Sequence, residues 1–273
     1  MADAIGVAGC GAMGLPMARR LARAGFEVFG FDIRPVSEFG DFAPRMIADA
    51  AAFAARCDTV ISVVRNAKQT CDLLFDAQAI LARDRRPKRL VVCSTVSPRA
   101  VHAVAARLPT GTILIDAPMS GAPYRAEAGT LTFMVGGDDD AVAALMPAFH
   151  AMGTTVHHLG PLGAGMTCKV VNNFVAASSV VAVRRALAAA RALGFDPARL
   201  LDVMRTSSGA TWYGDNFDKI VWAREGYDPA NTIGILEKDV TSFLDALAGN
   251  GADAPGDFAS AVLAGLRAAE PLP

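Results

Sequence analysis

The sequence predicts an α/β protein in which an N-terminal doubly wound parallel sheet is followed by an all-helical C-terminal domain, the two joined by a long helix. Three features carry this expectation: short β-branched runs alternate with helical stretches through the first half, a glycine-rich turn follows the first run at once, and residues 165–193 contain no proline. At 273 residues the chain reaches the length at which single cores split, so two domains are expected, 1–162 and 163–273.

The runs lie at 4–8, 26–31, 59–64, 90–93 and 113–115, and helical stretches between them give the βαβ rhythm of a parallel sheet. Residues 130–135 and 155–159 read as two further strands, with the acidic turn Gly136-Gly137-Asp138-Asp139-Asp140 opening a helix between them. The long helix ends at Gly194-Phe195-Asp196-Pro197, which supplies a C-terminal glycine, then a cap and a first-turn proline for the next helix. Everything beyond reads as helical, with breaks near Ser207-Ser208-Gly209, Tyr227-Asp228-Pro229 and Asn250-Gly251.

Composition narrows the partners. A net charge of -1 without a long run of Lys or Arg offers little attraction to nucleic acid or to an anionic membrane surface. No apolar run is expected to reach membrane-spanning length, since the uncharged stretch 170–183 is interrupted by Asn172, Asn173 and two serines. The N-terminal residues have no basic leader before an apolar core, so export is not expected. Five cysteines, an odd number without a CxxC pair, suit free thiols in a reducing compartment, by default the cytoplasm. His102, His150, His157 and His158 have no ligand spacing with Cys or acidic partners, so no metal is expected.

Gly9-Cys10-Gly11-Ala12-Met13-Gly14 follows the first run and opens a helix. Gly9 permits a tight turn, Gly11 lets a pyrophosphate approach the backbone, and Gly14 lets helix and strand pack closely, with Ala12 and Met13 between them at the helix N-terminus. Asp32 ends the second run, where a carboxylate accepts hydrogen bonds from an adenosine ribose and repels a 2′-phosphate. This favours NAD, with NADP still possible because Arg34 stands two residues on. The unit as a whole is of the Rossmann type.

At the start of the long helix, Lys169 and Asn173 fall one turn apart on one face. A lysine beside a nicotinamide in an apolar cleft can donate a proton to a carbonyl oxygen or take one from an alcohol, and an asparagine amide can hold the same substrate. Asp116-Ala117-Pro118-Met119-Ser120-Gly121-Ala122 follows a strand and suits a carboxylate, which it would meet with backbone N–H groups and the Ser120 hydroxyl. Cys168 is assigned to packing, as are Trp212 and Tyr213, although that aromatic pair could also close over substrate.

Four motifs stand in one order: Gly6-x-x-Gly9-x-Gly11-x-Met13-Gly14-x-x-Met17-Ala18, Asp116-x-Pro118-x-Ser120-Gly121, Gly160-x-x-Gly163-x-Gly165-x-x-x-Lys169-x-x-x-Asn173, and Lys238-Asp239. Together they resemble the β-hydroxyacid dehydrogenase family over nearly the whole chain. The resemblance implies hydride transfer between NAD(P) and a small β-hydroxyacid or its semialdehyde, of the 3-hydroxyisobutyrate, tartronate semialdehyde or threonate type. It implies Lys169 as general acid and base, Asn173 on substrate, and Ser120 and Gly121 on its carboxylate, with Ala122 in the same cradle. Thr95, in the Ser94-Thr95 pair, would lie beside the nicotinamide, Lys238 near the cofactor, and the helical domain would build a homodimer or homotetramer.

The sequence departs from the family pattern at several points. Ala122 stands where a second glycine is usual, Cys93 where an acidic residue is common, and Arg65 where a proline is frequent. Arg65 or Arg125 could recognise a second polar end of the substrate, although both also fit as ordinary surface arginines. Asn172 replaces the histidine of decarboxylating sugar-phosphate relatives, and retention of Lys169 argues against the imine-reducing branch. Two competing readings stand beside it: a reductase of another small carbonyl or imine, and, from another class, a non-catalytic nucleotide-binding module on the same fold.

Overall fold

In a computed structural model of the chain, which describes residues 3–83, 85–249, 251 and 255–272, contacts divide the protein into Met1–Lys169 and Val170–Pro273. The division falls inside the long helix rather than before it at Leu162, because Met166 of that helix packs into the core of the sheet.

Five parallel strands build the first unit: β1 (Ile5–Ala8), β2 (Val28–Phe31), β3 (Thr59–Ser62), β4 (Arg89–Val92) and β5 (Ile113–Asp116), in the order β2-β1-β3-β4-β5. They alternate as period two demands. Ile5, Val7, Ile61, Val91 and Ile115 join Met17 and Leu21 of α1 (Gly14–Arg23) and Phe149 of α6 (Asp139–Met152) in one core. Ala8, Val60, Leu90, Val92 and Leu114 meet Phe53 of α2 (Ala50–Arg56), Leu73 of α3 (Ala67–Leu74) and Val101 of α4 (Pro98–Ala106) on the opposite face. Both faces are covered, which is why the strands read as near-continuous apolar runs. Each fully buried Val, Leu or Ile contributes about 1.5–3 kcal/mol of transfer free energy.

A smaller sheet follows, built from β6 (Met119–Ser120), β7 (Leu131–Val135) and β8 (Gly153–His158), with β6 antiparallel and β8 parallel to β7. The two-residue β6 is new relative to the sequence reading. Between β6 and β7 lies α5 (Pro123–Ala128), which ends on Gly129 at φ 70°. Asp138 caps α6 by accepting from the Ala141 N–H at 3.1 Å, and Asp139 and Asp140 in its first turn suit the positive end of the helix.

Among the described residues, a single bridge marks each side of the five-stranded sheet. Asp116 on β5 pairs antiparallel with Gly136, and Gly30 on β2 pairs parallel with Met46. Met46 is delivered by a 3-10 segment, Val36–Arg45, that the sequence reading leaves unassigned.

The long helix α7 (Ala164–Ala192) starts in the first unit and carries on into the second. Gly194 at φ 71° ends it, the Phe195 N–H donates back to the Ala190 oxygen at 2.8 Å, and Asp196 caps α8 (Pro197–Arg205), as the sequence predicts. Then come α9 (Trp212–Asp215), a 3-10 turn at Val221–Arg224, α10 (Thr232–Gly249) and α11 (Gly256–Arg267). Two of the expected breaks fall between these helices; of the third, Asn250-Gly251, Asn250 lies outside the described residues and Gly251 stands at φ 63° just after α10.

Ala177, Val180, Val183 and Leu187 of α7 form the core of the second unit with Leu201, Tyr213, Phe217, Ile233, Val240, Val262 and Leu266. By length and composition α7 is apolar enough to cross a membrane, which corrects the expectation that no run reaches that length. The Asn and Ser residues do not outweigh its alanines and valines, of which Ala177, Val180, Val181 and Val183 pack in this core.

Candidate active site

The glycine loop has the shape its spacing predicts. Gly9 at φ 91° turns the chain out of β1, and its N–H donates to the Phe31 oxygen at 2.9 Å. A Cβ on Gly14 would stand 2.0 Å from the Gly9 oxygen, so only glycine lets α1 start this close to the strand. A Cβ on Gly11 would meet nothing within 4 Å, leaving open space over the backbone where a pyrophosphate fits. Gly11 and Ala12 are exposed and Met13 is half-buried. The loop leaves β1 beside β3, where the strand order reverses and open α/β sheets bind ligands. Among the described residues, the buried hydroxyls of Ser62, at the end of β3, and Ser94, just beyond β4, have no hydrogen-bond partner. Thr95 follows Ser94 and is half-buried. These observations fit a dinucleotide lying along the carboxyl edge of the sheet.

Asp32 sits at the end of β2, where one carboxylate oxygen accepts the Cys10 N–H at 2.8 Å. Arg34 occupies the rest of it. Its backbone N–H and Nε each donate to Oδ1 at 3.1 Å, and Nη2 reaches Oδ2 at 3.3 Å and the Cys10 oxygen at 2.8 Å. The guanidinium also lies over the Phe39 ring, 4.8 Å from its centroid.

In the substrate motif, Ser120 is set by pairing of β6 with Thr132 of β7, and Gly121 follows at φ 139°. A Cβ on Gly121 would press 2.8 Å from Leu131. Ala122 is extended, at φ -84° and ψ 171°, which explains why a glycine is dispensable there. Arg125 packs beside Gly121 and donates to the Thr130 oxygen beyond its own helix.

Asp116, the first residue of that motif, is fully buried. Its Oδ1 accepts the Gly163 N–H at 2.7 Å and its Oδ2 the Met166 N–H at 2.6 Å, both at the start of α7. Burial pushes its pKa up, against the opposing pull of those two N–H bonds. Lys169, on the first turns of the same helix, is 6% exposed.

The second unit brings together Asn173, Lys238 and Asp239. Asp239 is buried, accepts from Asn173 Nδ2 at 2.6 Å, and pairs with Lys238 Nζ at 2.6 Å. Asn172 Nδ2 donates to Asn173 Oδ1 at 3.2 Å, so both ends of the Asn173 amide are assigned. The sequence reading assigns no role to Asp239, yet it leaves a trace. It interrupts the apolar stripe Leu236, Val240, Phe243 of α10, where a carboxylate is costly unless paired. The Trp212–Tyr213 pair separates: Tyr213 is buried with its hydroxyl donating to the Ala223 oxygen at 2.7 Å, while Trp212 is exposed.

Known proteins match this arrangement along its length. Residues 4–160 match the family described as the NAD binding domain of 6-phosphogluconate dehydrogenase, and residues 163–270 match the NAD-binding family of NADP-dependent 3-hydroxyisobutyrate dehydrogenase. L-threonate dehydrogenase of Cupriavidus necator is 35% identical over 90% of this chain and 84% of its own. NAD-dependent L-serine dehydrogenase of Pseudomonas aeruginosa is 38% identical over 75% of this chain and 70% of its own. The solved structure of Mycobacterium tuberculosis 3-hydroxyisobutyrate dehydrogenase with L-serine superposes with a TM-score of 0.78 at 30% identity, covering 97% of this chain and 92% of that one. The glycine loop, the order of the motifs and these matches agree, and the chain belongs to the β-hydroxyacid dehydrogenase family of NAD(P)-dependent oxidoreductases.

Proposed function

We propose that the protein oxidises a small β-hydroxyacid, or reduces the corresponding semialdehyde, with Lys169 as general acid and base. The observation that carries this reading is the burial of Lys169 near the start of α7, one helical turn before Asn173. The substrate class draws on the relatives: L-threonate, L-serine and 3-hydroxyisobutyrate each bear a hydroxyl β to a carboxylate.

NAD, when bound, supplies the hydride acceptor. The loop Gly9 to Gly14 would hold its pyrophosphate and Asp32 its ribose, which favours NAD over NADP. Ser120 and Gly121 take the substrate carboxylate, Ser120 by its hydroxyl and Gly121 by its N–H. In oxidation, neutral Lys169 Nζ receives the hydroxyl proton as the carbon loses hydride; in reduction the ammonium returns that proton to the carbonyl oxygen. Asn173, whose Nδ2 is committed to Asp239, keeps one N–H and one oxygen lone pair for the substrate. The working form in this reading is a homodimer or homotetramer in the cytoplasm, a reducing compartment that keeps the five cysteines free.

The test is reduced-nicotinamide absorbance with NAD and NADP across 3-hydroxyisobutyrate, L-serine, glycerate and L-threonate. Lys169→Ala should lower turnover by about 10²–10⁴-fold while its NAD dissociation constant stays within about threefold of wild type. Turnover at the wild-type rate in Lys169→Ala would remove the lysine from the mechanism.

A further inference from the structure

We infer that Asp116 is a positioning residue for Lys169, its carboxylate fixing the first turn of α7 to the end of β5 and so setting where the lysine amine stands. The inference rests on the reading of Lys169 as the acid and base.

Helix N-terminal N–H groups lack partners within the helix, and most helices borrow a side chain from the residue just before them. Asp138 does this for α6, Asp49 for α2 and Asp196 for α8. At α7 the carboxylate instead comes from 47 and 50 residues away, bridging the Gly163 and Met166 amides with one oxygen each. A local cap satisfies a helix end; only a distant one also ties that end to another element. Met166 is three residues before Lys169, so the clamped turn is the one from which the lysine projects.

The clamp is rigid on its sheet side. Asp116 and Gly136 exchange two backbone hydrogen bonds, at 3.0 and 2.8 Å. Two glycines make room for it. A Cβ on Gly136 would lie 2.5 Å from Asp116 Oδ1, and one on Gly165 would lie 2.9 Å from Oδ2 and 2.4 Å from the Met134 oxygen. A fully buried carboxylate is costly to keep, and the charge-assisted bonds to the two amides offset that cost. Fixing a proton-transfer group in this way matters because a displacement of about 1 Å can cost about 10²-fold in rate.

The experiment is a double-mutant cycle between Asp116→Asn and Lys169→Ala, with Asp196→Asn, at the cap beyond the far end of α7, as the control. Asparagine keeps the shape but offers one acceptor oxygen in place of two. The expected result is a fall of about 10²-fold in kcat for Asp116→Asn with little change in the NAD dissociation constant. In the Lys169→Ala background the same change should produce no further fall, while Asp196→Asn, which keeps a cap acceptor, leaves kcat at the wild-type value. An undiminished kcat in Asp116→Asn, or an equal fall in both backgrounds, overturns the inference. Wild-type turnover in Lys169→Ala removes the lysine reading and this inference together; a silent Asp116→Asn beside an inactive Lys169→Ala removes this inference alone. Should Asp116→Asn not fold, amide hydrogen exchange on the wild-type protein decides: the Gly163 and Met166 amides should exchange as slowly as those of β5, and exchange at the rate of an open helix end overturns the inference.

Discussion

Asp32 is more crowded than a carboxylate waiting for a ribose. Cys10 and Arg34 together give it four hydrogen bonds, so a bound ribose must displace part of the Arg34 fork or share the carboxylate with it. The same arginine is the nearby cation that a 2′-phosphate would seek. Asp32→Ser should therefore weaken NAD by about tenfold or more, the loss of one hydrogen bond to a charged group, and should strengthen NADP as Arg34 is released. Fluorescence titration of both cofactors checks this; an unchanged NADP affinity would show that Arg34 takes no part in the choice. Arg125 makes a complementary point about single residues. A hydrogen bond to the Thr130 oxygen fixes one end of its guanidinium, and no sequence period announces such a local contact.

Among the elements, α10 and α11 are linked through one carboxylate. Glu237 on α10 accepts the Tyr227 hydroxyl and pairs with Arg267 of α11. The Tyr227 bond first, and Arg267 with it, hold the carboxyl below its ordinary value of 4.5. A folded-state pKa below the unfolded one adds stability that is fully present above 4.5 and disappears as pH falls through the folded value. Glu237→Gln should accordingly lower Tm at neutral pH, and the gap to wild type should close on acidification; calorimetry across pH 7 to about 3 shows whether it does. A gap that stays constant over that range would mean that packing, not charge, links the two helices.

The elements also show what a sequence reveals. The strands of the parallel sheet are legible because residues such as Ile5, Val7, Val60 and Ile61 are apolar in unbroken runs between glycine and helix signals. Two residues are too few for β6 to show alternation, and Gly40 and Pro44 leave Val36–Arg45 without a period. In the site, Lys169 and Asn173 are legible because one helix holds both at a fixed spacing. Their supports are not: Asp116 acts 47 and 50 positions away and Asp239 acts 66 positions from Asn173, distances that only the fold closes.

For the whole molecule, the cysteines divide into two classes. Cys10, Cys57 and Cys93 are buried, and burial pushes the first two thiols up to about 12 and raises the third as well. Thiolates are the reactive form, so these three should resist alkylation at neutral pH, while the half-buried Cys71 and Cys168 react. Mass spectrometry of the native protein after iodoacetamide should show label confined to those two; modification of Cys10 without unfolding would contradict the packing of the glycine loop.

The outer strand β2 carries a last consequence. A strand at the border of a sheet offers unpaired backbone groups that can recruit the same strand from another molecule. Here the segment after Val36–Arg45 lies across it, and the Ile47 N–H donates to the Gly30 oxygen at 2.8 Å. Gly30 makes this possible, since a Cβ there would come within 2.4 Å of the Met46 sulfur. A side chain at position 30 would press on Met46 and Phe42 beneath that strap and loosen its hold on the border of the sheet, so a glycine beside the cofactor loop also guards the protein against self-templated aggregation.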